Sequence, residues 1–274
     1  MKIHGICLVK NEADFLRFGI EANLTHFDGI YIFDNGSADG TWEEALCLQS
    51  RHPSRVFAWK SEETPFRDSL RGQVFNAFRT RAEPGDWWCR LDADEIYLDP
   101  VREFLSVVPA RHHVVWSISH QYYFSAEDAR KWESRPAGGT LEAMDDLPRH
   151  YRINHSEARF FRHRDRLVWS EGSWPAHLGL VHPRRIRLQH YQYRSPSQIQ
   201  RRLDTRRIAA AEGYEHFCHS LESHWREKIT DSSDLLIEAP PKSAPPEPPG
   251  LPPHLEPRQR RLAKFVLHGL QIWP

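Results

Sequence analysis

The sequence predicts an α/β fold, with a mostly parallel sheet flanked by helices around one core. Three observations carry that prediction. The apolar runs Ile3 to Val9 and Gly29 to Phe33 bracket a stretch of helical period. A strand, a helix and a strand within about 35 residues form a βαβ unit, whose two strands run parallel. The apolar runs also end in polar residues, Asn11, Asp34 and Asp92, and open parallel sheets bind ligands beyond the carboxyl ends of their strands. Finally, 274 residues with ten Trp and 12% aromatic content are enough to close a sizeable ordered core.

Taken in order, Ile3 to Val9 is the first buried strand, emerging at Lys10-Asn11-Glu12. Phe15, Leu16, Phe18, Gly19, Ile20 and Ala22 recur at helical spacing, which predicts a helix from about Asp14 to Asn23. Gly29 to Phe33 is the second strand, followed by the loop Asp34 to Thr41, where Asp39 or Thr41 can cap a helix from Trp42 to Ser50. Val56 to Trp59 is a third strand. Pro65 suits the first turn of a helix reaching about Ala82, with Phe66, Leu70, Val74 and Phe78 along one face. Pro84-Gly85-Asp86 turns the chain into the strand Trp87 to Leu91. Beyond Tyr97 the pattern thins: a strand over Val114 to Ser119, a long loop from Ser125 to Pro148, short strands at Ala158 to Phe161 and Ile186 to Leu188, and a helix capped by Ser197 and running to Ala211. Nine prolines between Pro240 and Pro257 predict a stiff linker.

The chemistry concentrates where the strand Trp87 to Leu91 runs into Asp92-Ala93-Asp94-Glu95. Three carboxylates so close repel, and burying them costs several kcal/mol, roughly, without a counter-charge. A divalent cation is a natural one. Asp92 and Asp94 alternate along an extended chain and so point to one side. The plain alternative is an acidic turn. The loop Asn35-x-Ser37-x-Asp39-Gly40 resembles the start of a calcium-binding EF-hand loop, but Leu46 occupies the twelfth position, where an acid belongs. Its Asn-Gly and Asp-Gly pairs suit tight turns. Asp34, at the end of an apolar strand, can accept hydrogen bonds from a ribose or base.

The charges balance at 37 basic and 37 acidic, so no nucleic-acid partner is expected from the whole chain. The balance is uneven, however. Between Arg149 and Arg207 stand 14 Arg and four acids. A solvated basic face is the default reading, with a diphosphate clamp, an acidic acceptor or an anionic membrane as functional alternatives. Cys7, Cys47, Cys89 and Cys218 have no paired spacing and read as buried thiols in a reducing, cytoplasmic compartment. Neither a signal peptide nor a membrane-spanning run is apparent.

Four blocks in order are similar to a family-two-type glycosyltransferase: Leu8-Val9-Lys10-Asn11-Glu12, Phe33 to Thr41, Gly72-Gln73 with Asn76, and Trp87 to Glu95. The likeness spans residues 3 to 97 and is to the branch whose Asp-x-Asp reads Asp-Ala-Asp-Glu. The resemblance implies a GT-A fold, a nucleotide-sugar donor (a UDP-sugar favoured), Mn²⁺ or Mg²⁺, a glycan or lipid-linked acceptor, and a part in building cell-surface polysaccharide. It implies that Asn11, Glu12, Asp34 and Asn35 hold the nucleoside, with Gln73 a further nucleotide contact. Asp92 would meet the ribose or metal, and Asp94 the metal. Leu188-Gln189-His190-Tyr191 through Arg194-Ser195 resembles the family's late His-Tyr and Arg-Ser, which makes His190 the candidate third metal or diphosphate contact. In Trp169 to His177, Glu171 or His177 could deprotonate the acceptor in an inverting reaction. The Trp residues there serve equally well as core or as sugar platforms. On this reading residues 1–98 are the nucleotide-sugar half, 99–238 the acceptor side, 239–257 the linker and 258–274 a terminal amphipathic helix.

Two rival classes remain at this point. A noncatalytic nucleic-acid binder would use the Arg-rich half but leaves the carboxylates unexplained. A metal-dependent phosphohydrolase would carry its Asp-x-Asp on an early strand, and here the pair comes late. In the terminal helix, Leu262, Phe265, Val266 and Leu270 fall on one side beside Arg258, Arg261 and Lys264. That pattern fits a peripheral membrane helix at the cytoplasmic leaflet. It equally fits a helix packed on the core.

Overall fold

A computed structural model of the chain describes residues 1–135, 141, 144–211, 222–237 and 247–274. Cys218, His216 and Pro240 to Pro246 of the linker lie outside the described residues. The elements in chain order begin with β1 (Ile3–Val9), α1 (Leu16–Asn23), β2 (Gly29–Asp34), α2 (Thr41–Arg51), β3 (Val56–Ser61) and α3 (Leu70–Phe78). Next come β4 (Trp87–Leu91), β5 (Glu95–Tyr97), α4 (Val101–Ser106), β6 (His112–Tyr123), α5 (Ala126–Glu133) and β7 (His150–Arg162). The last are β8 (Leu180–Val181), β9 (Ile186–His190), α6 (Pro196–Ala211), β10 (Leu236–Ile237) and α7 (Arg258–Gly269).

The chain divides into two compact units, one of residues 1–119, 155–189 and 249–274, the other of 120–154 and 190–248. The first holds the sheet order β3-β2-β1-β4-β7-β6-β9-β5, with β8 beside β6. β1 runs parallel to both β2 and β4, and β2 runs parallel to β3. β7 is antiparallel to β4, pairing Trp87 with Arg162 and Cys89 with Phe160. This is the mixed, mostly parallel sheet flanked by helices that the sequence predicts.

The pleat sorts side chains onto two faces. On one face Ile3, Cys7, Val9, Ile30, Ile32, Trp87, Cys89, Leu91 and Phe160 pack with Leu16 and Ile20 of α1, Leu48 of α2 and Phe104 of α4. On the other Ile6, Leu8, Tyr31, Phe33, Trp88 and Phe161 pack with Leu70, Val74 and Phe75 of α3. Residues with the parity of Trp88 and Phe161 therefore look toward α3. Arg90 and Asp92 follow Trp88 at that parity, and Glu157 and Arg159 precede Phe161 at it.

The second unit holds α5, α6 and the strand pair β10–β7, in which Leu236 faces Tyr151. The stretch read as a long loop after Ser125 contains α5. Ser125 and Asp128 form a reciprocal capping box, and Ala129 and Trp132 bury one face. Other boundaries also move. α3 begins at Leu70 instead of Pro65, and Phe66 is exposed. β6 and β7 are twelve and thirteen residues long, well beyond the short apolar cores visible in sequence. The hydroxyl at the start of α6 that accepts a backbone N–H is Ser195, from Gln198 at 3.2 Å, and not Ser197. Cys7 and Cys89 are buried free thiols, but Cys47 is exposed on α2. Among the described residues no helix is long and apolar enough to cross a membrane.

Candidate functional site

The strand register brings the polar strand ends to one edge. Val9 lies opposite Asp34, and Cys7 opposite Leu91, so Asn11, Asn35 and Asp92 leave the sheet side by side. The loops after β1 and β2 are laced together. The Asn11 N–H donates to Ser37 Oγ at 2.8 Å, the Glu12 N–H to Thr41 Oγ1 at 2.8 Å, and the Ala38 N–H to Asn11 Oδ1 at 3.0 Å. Asn11 takes a left-handed backbone, φ 57°, which Asn tolerates better than most residues.

Asp34 is fully buried within this lacing. Its carboxylate accepts from the Ser37 N–H at 3.1 Å and from the hydroxyls of Ser37 and Ser61, the latter at 2.6 Å. Its visible work is to shape the loop. Asn35 is also buried: its amide donates to the carbonyls of Thr64 at 2.7 Å and Glu62 at 3.4 Å. Its Oδ1 is a buried acceptor without a donor, an arrangement that ordinarily calls for an unseen partner.

Asp92 follows β4 on the α3 side. Arg71 of α3 donates to its Oδ1 at 2.6 Å, and Arg159 of β7 to its Oδ2 at 2.8 Å. Burial would raise the Asp92 pKa, but Arg159 and Arg71 outweigh it and hold the carboxyl well below the usual range. The counter-charge that the sequence demands is thus already supplied, at Asp92, by guanidinium groups. Arg159 is itself buried and also binds Glu95 and, at 2.7 Å, Glu157. Burial works against its charge, yet Glu157, Glu95 and Asp92 keep it protonated. Asp68 accepts from Arg71 at 2.8 Å and from Arg90 at 3.0 Å. Four carboxylates, Asp68, Asp92, Glu95 and Glu157, therefore share three guanidinium groups. Asp94 is buried beside them and repels Asp92 and Glu95 further. Burial raises the Glu95 pKa well above its usual value, against the pull of Arg159, so Glu95 adds little negative charge and the acidic excess that would draw a divalent cation is small. Among the described residues, no three His, Cys, Asp or Glu side chains gather into a metal-holding group.

The other predicted residues lie on other elements. Gln73 is exposed on α3, about two residues around the helix from Arg71. His190 ends β9 and belongs to the second unit, whereas Asp92 and Asp94 belong to the first. Glu171 and His177 are exposed, and the His177 ring lies 4.7 Å from that of Trp273. The Trp pair of this loop is divided. Trp169 is buried in the α3-side core, against which Trp174 packs, and the Arg90 guanidinium sits 4.7 Å over the Trp174 ring. Gly72 is explained by packing: a Cβ there would lie 2.9 Å from Trp169.

The basic segment is not a uniformly solvated face. Arg159 and Arg194 are both buried, and Arg194 donates to the Tyr191 carbonyl at 2.9 Å. Sequence reasoning missed Arg71, Arg90, Asp68 and Arg159 as members of the site. For Arg159 a signal existed, since it shares strand parity with Phe161.

No protein-family model matches the chain, and no curated protein does. Solved structures show similarity at TM-scores below 0.5. A mannosyltransferase from Pyrobaculum calidifontis, in complex with GDP-Man and Mn²⁺, gives TM-score 0.39 at 13% identity, over 77% of this chain and 64% of that one. A protein of Bacillus anthracis described as a glucose-1-phosphate thymidylyltransferase, in complex with a sucrose, gives 0.33 at 11% identity, over 51% and 63%. The bifunctional glycosyltransferase WbbM gives 0.28 at 12% identity, over 53% and 27%. The chain thus spans less than two thirds of the length of each.

Proposed function

We propose that the chain is a GT-A-type glycosyltransferase that moves a sugar from a nucleotide donor, with a UDP-sugar favoured, to a glycan or lipid-linked acceptor with inversion. The observation that carries this reading is the shared edge of β1, β2 and β4. There a laced polar loop pair adjoins a carboxylate cluster threaded by Arg71, Arg90 and Arg159. A nucleoside diphosphate asks for polar groups at the nucleoside and a cation at the diphosphate, and an acidic cluster at the same edge is where a divalent cation would be drawn.

In this reading Asn11, Glu12 and Asn35 meet the nucleoside on loops that Asp34 holds in shape. Asp92 orients the ribose. Asp92 and Asp94 would hold Mn²⁺ or Mg²⁺, which when bound would stabilise the departing diphosphate as a Lewis acid. Gln73, on the exposed side of α3, is left out. Of the two candidates for deprotonating the acceptor, Glu171 is preferred. Its loop is tied to β4 through Trp174 and Arg90, whereas His177 packs on Trp273. The buried thiols Cys7 and Cys89 suit a reducing, cytoplasmic setting.

The test is calorimetry of UDP and UDP-sugars with and without Mn²⁺. Wild-type protein should bind more tightly with the metal, and Asp94→Ala should lose that gain while melting normally. Unchanged metal-dependent affinity in the variant would refute the assignment. Glu171→Gln should cut turnover about 10²-fold or more with donor affinity intact.

A further inference from the structure

The C-terminal helix α7 is docked the opposite way round from a core-facing amphipathic helix. Its polar side makes the attachments. Lys264 donates to the Gly179 carbonyl at 3.3 Å and pairs with Glu256 at 2.8 Å, and Arg164 donates to a ring nitrogen of His268 at 2.8 Å. Just past the helix, Arg166 donates to the Gln271 carbonyl at 2.7 Å. The apolar stripe turns outward: Leu262 is 65%, Phe265 54% and Leu270 66% exposed, with Val266 and Ile272 also open to solvent. A helix held by its charged side while Leu262, Phe265 and Leu270 face water, with Leu267 half-buried, carries an unspent apolar face.

Beside this stripe lies a cleft of about 530 Å³ whose walls include Arg111, Arg258 and Arg261 along with Leu180, Pro183, Leu262 and Phe265. Among the described residues, Arg111, Arg258, Arg260 and Arg261 have no carboxylate partner, and the neighbouring Glu256 is committed to Lys264. Apolar side chains rimmed by uncompensated guanidinium groups complement one kind of surface in particular, acyl chains beneath anionic phosphates. A second copy of the chain is a poorer fit, because a two-fold contact would set these arginines against their own images.

We propose that α7 and the adjoining arginine-walled cleft dock the protein on an anionic phospholipid surface. Leu262, Phe265, Val266 and Leu270 enter the acyl boundary, and Arg111, Arg258 and Arg261 receive lipid phosphates in the cleft. This proposal stands without the sugar-transfer reading, since it uses no residue of the carboxylate site.

The test is co-sedimentation of the full chain with vesicles of phosphatidylcholine alone and of phosphatidylcholine mixed with phosphatidylglycerol. Binding should require phosphatidylglycerol and weaken as salt is raised. Arg258→Gln with Arg261→Gln should lower partitioning about 25-fold, at about fivefold per arginine. Leu262→Ser with Phe265→Ser should abolish it. Both variants alter exposed side chains and should melt like the wild type, which separates lost docking from lost fold. Wild-type protein that stays in the supernatant with phosphatidylglycerol vesicles at low salt would overturn the proposal. So would variants that bind as well as wild type, or a dimer in light scattering that Phe265→Ser dissociates.

Discussion

Arg159 shows how much a single side chain can decide. It reaches Asp92, Glu95 and Glu157 from one buried position. Removing it leaves three carboxylates facing one another, and an uncompensated buried charge is strongly destabilising. Arg159→Met should cost about 3–5 kcal/mol in urea unfolding, more than any exposed arginine of the 149–207 segment. In sequence, Arg159 was one of 14 arginines in that segment, and a charge count says nothing about which face each occupies. Asp92 was legible because strand parity and clustered carboxylates both mark it. Its partner Arg71 was not, because it lies on another element and only the fold brings the two together. Asp34 was legible as important, while its three hydrogen bonds to Ser37 and Ser61 show that much of its work is internal.

At the level of elements, the best-read pieces were those with a regular period and a local stop signal. β1, β2 and β4 lie close to where their apolar runs predict. α5 was missed although Ser125-Ala126-Glu127-Asp128 is a capping-box pattern, because the segment's mixed charge hid the buried Ala129 and Trp132. α1 owes its position to a contact that no periodicity encodes. A Cβ on Gly19 would stand 1.9 Å from the Ala93 carbonyl oxygen, so the helix packs directly on the backbone of the Asp-Ala-Asp-Glu turn. Asn23, on the same helix, donates to the Glu95 carbonyl at 2.7 Å and accepts from the Tyr97 N–H at 3.2 Å. Gly19→Ala must push α1 off this turn. It should lower stability by roughly 1–3 kcal/mol, as overpacking does, and weaken donor binding with it. Equal melting temperatures for variant and wild type would show that the turn can yield.

Across the whole molecule, acid should loosen the fold through its histidines. Burial, opposed in part by Asp86, lowers His4 to about 4. Burial with neighbouring positive charge brings His112 and His268 to about 4 and His113 to about 3. Each binds a proton less readily folded than unfolded, where the pKa is near 6.5. The unfolded chain therefore takes up more protons in this window, and stability falls as pH drops from about 6.5 toward 4. Melting temperatures should decline steadily across that interval. His4→Gln, at a ring stacked 4.7 Å from Trp88, should flatten the decline; a variant with the same pH slope would count against it. The edge at which Asn11, Asp34 and Asp92 converge was the most legible large-scale feature, because parallel strands align their ends whatever their loops contain.

The hydrogen bonds of Asn35 bear on how the protein ages. An Asn followed by Gly is the pair most prone to deamidation, since the Gly36 nitrogen can attack the side-chain amide when the backbone is free to bend. Here that amide is buried and tied to the carbonyls of Thr64 and Glu62, so the reactive geometry is withheld while the loops stay laced. Folded protein stored at neutral pH should keep Asn35 intact. Protein held in denaturant should accumulate aspartate and isoaspartate there, readable by peptide mass spectrometry. Deamidation at Asn35 would then serve as a clock of time spent unfolded.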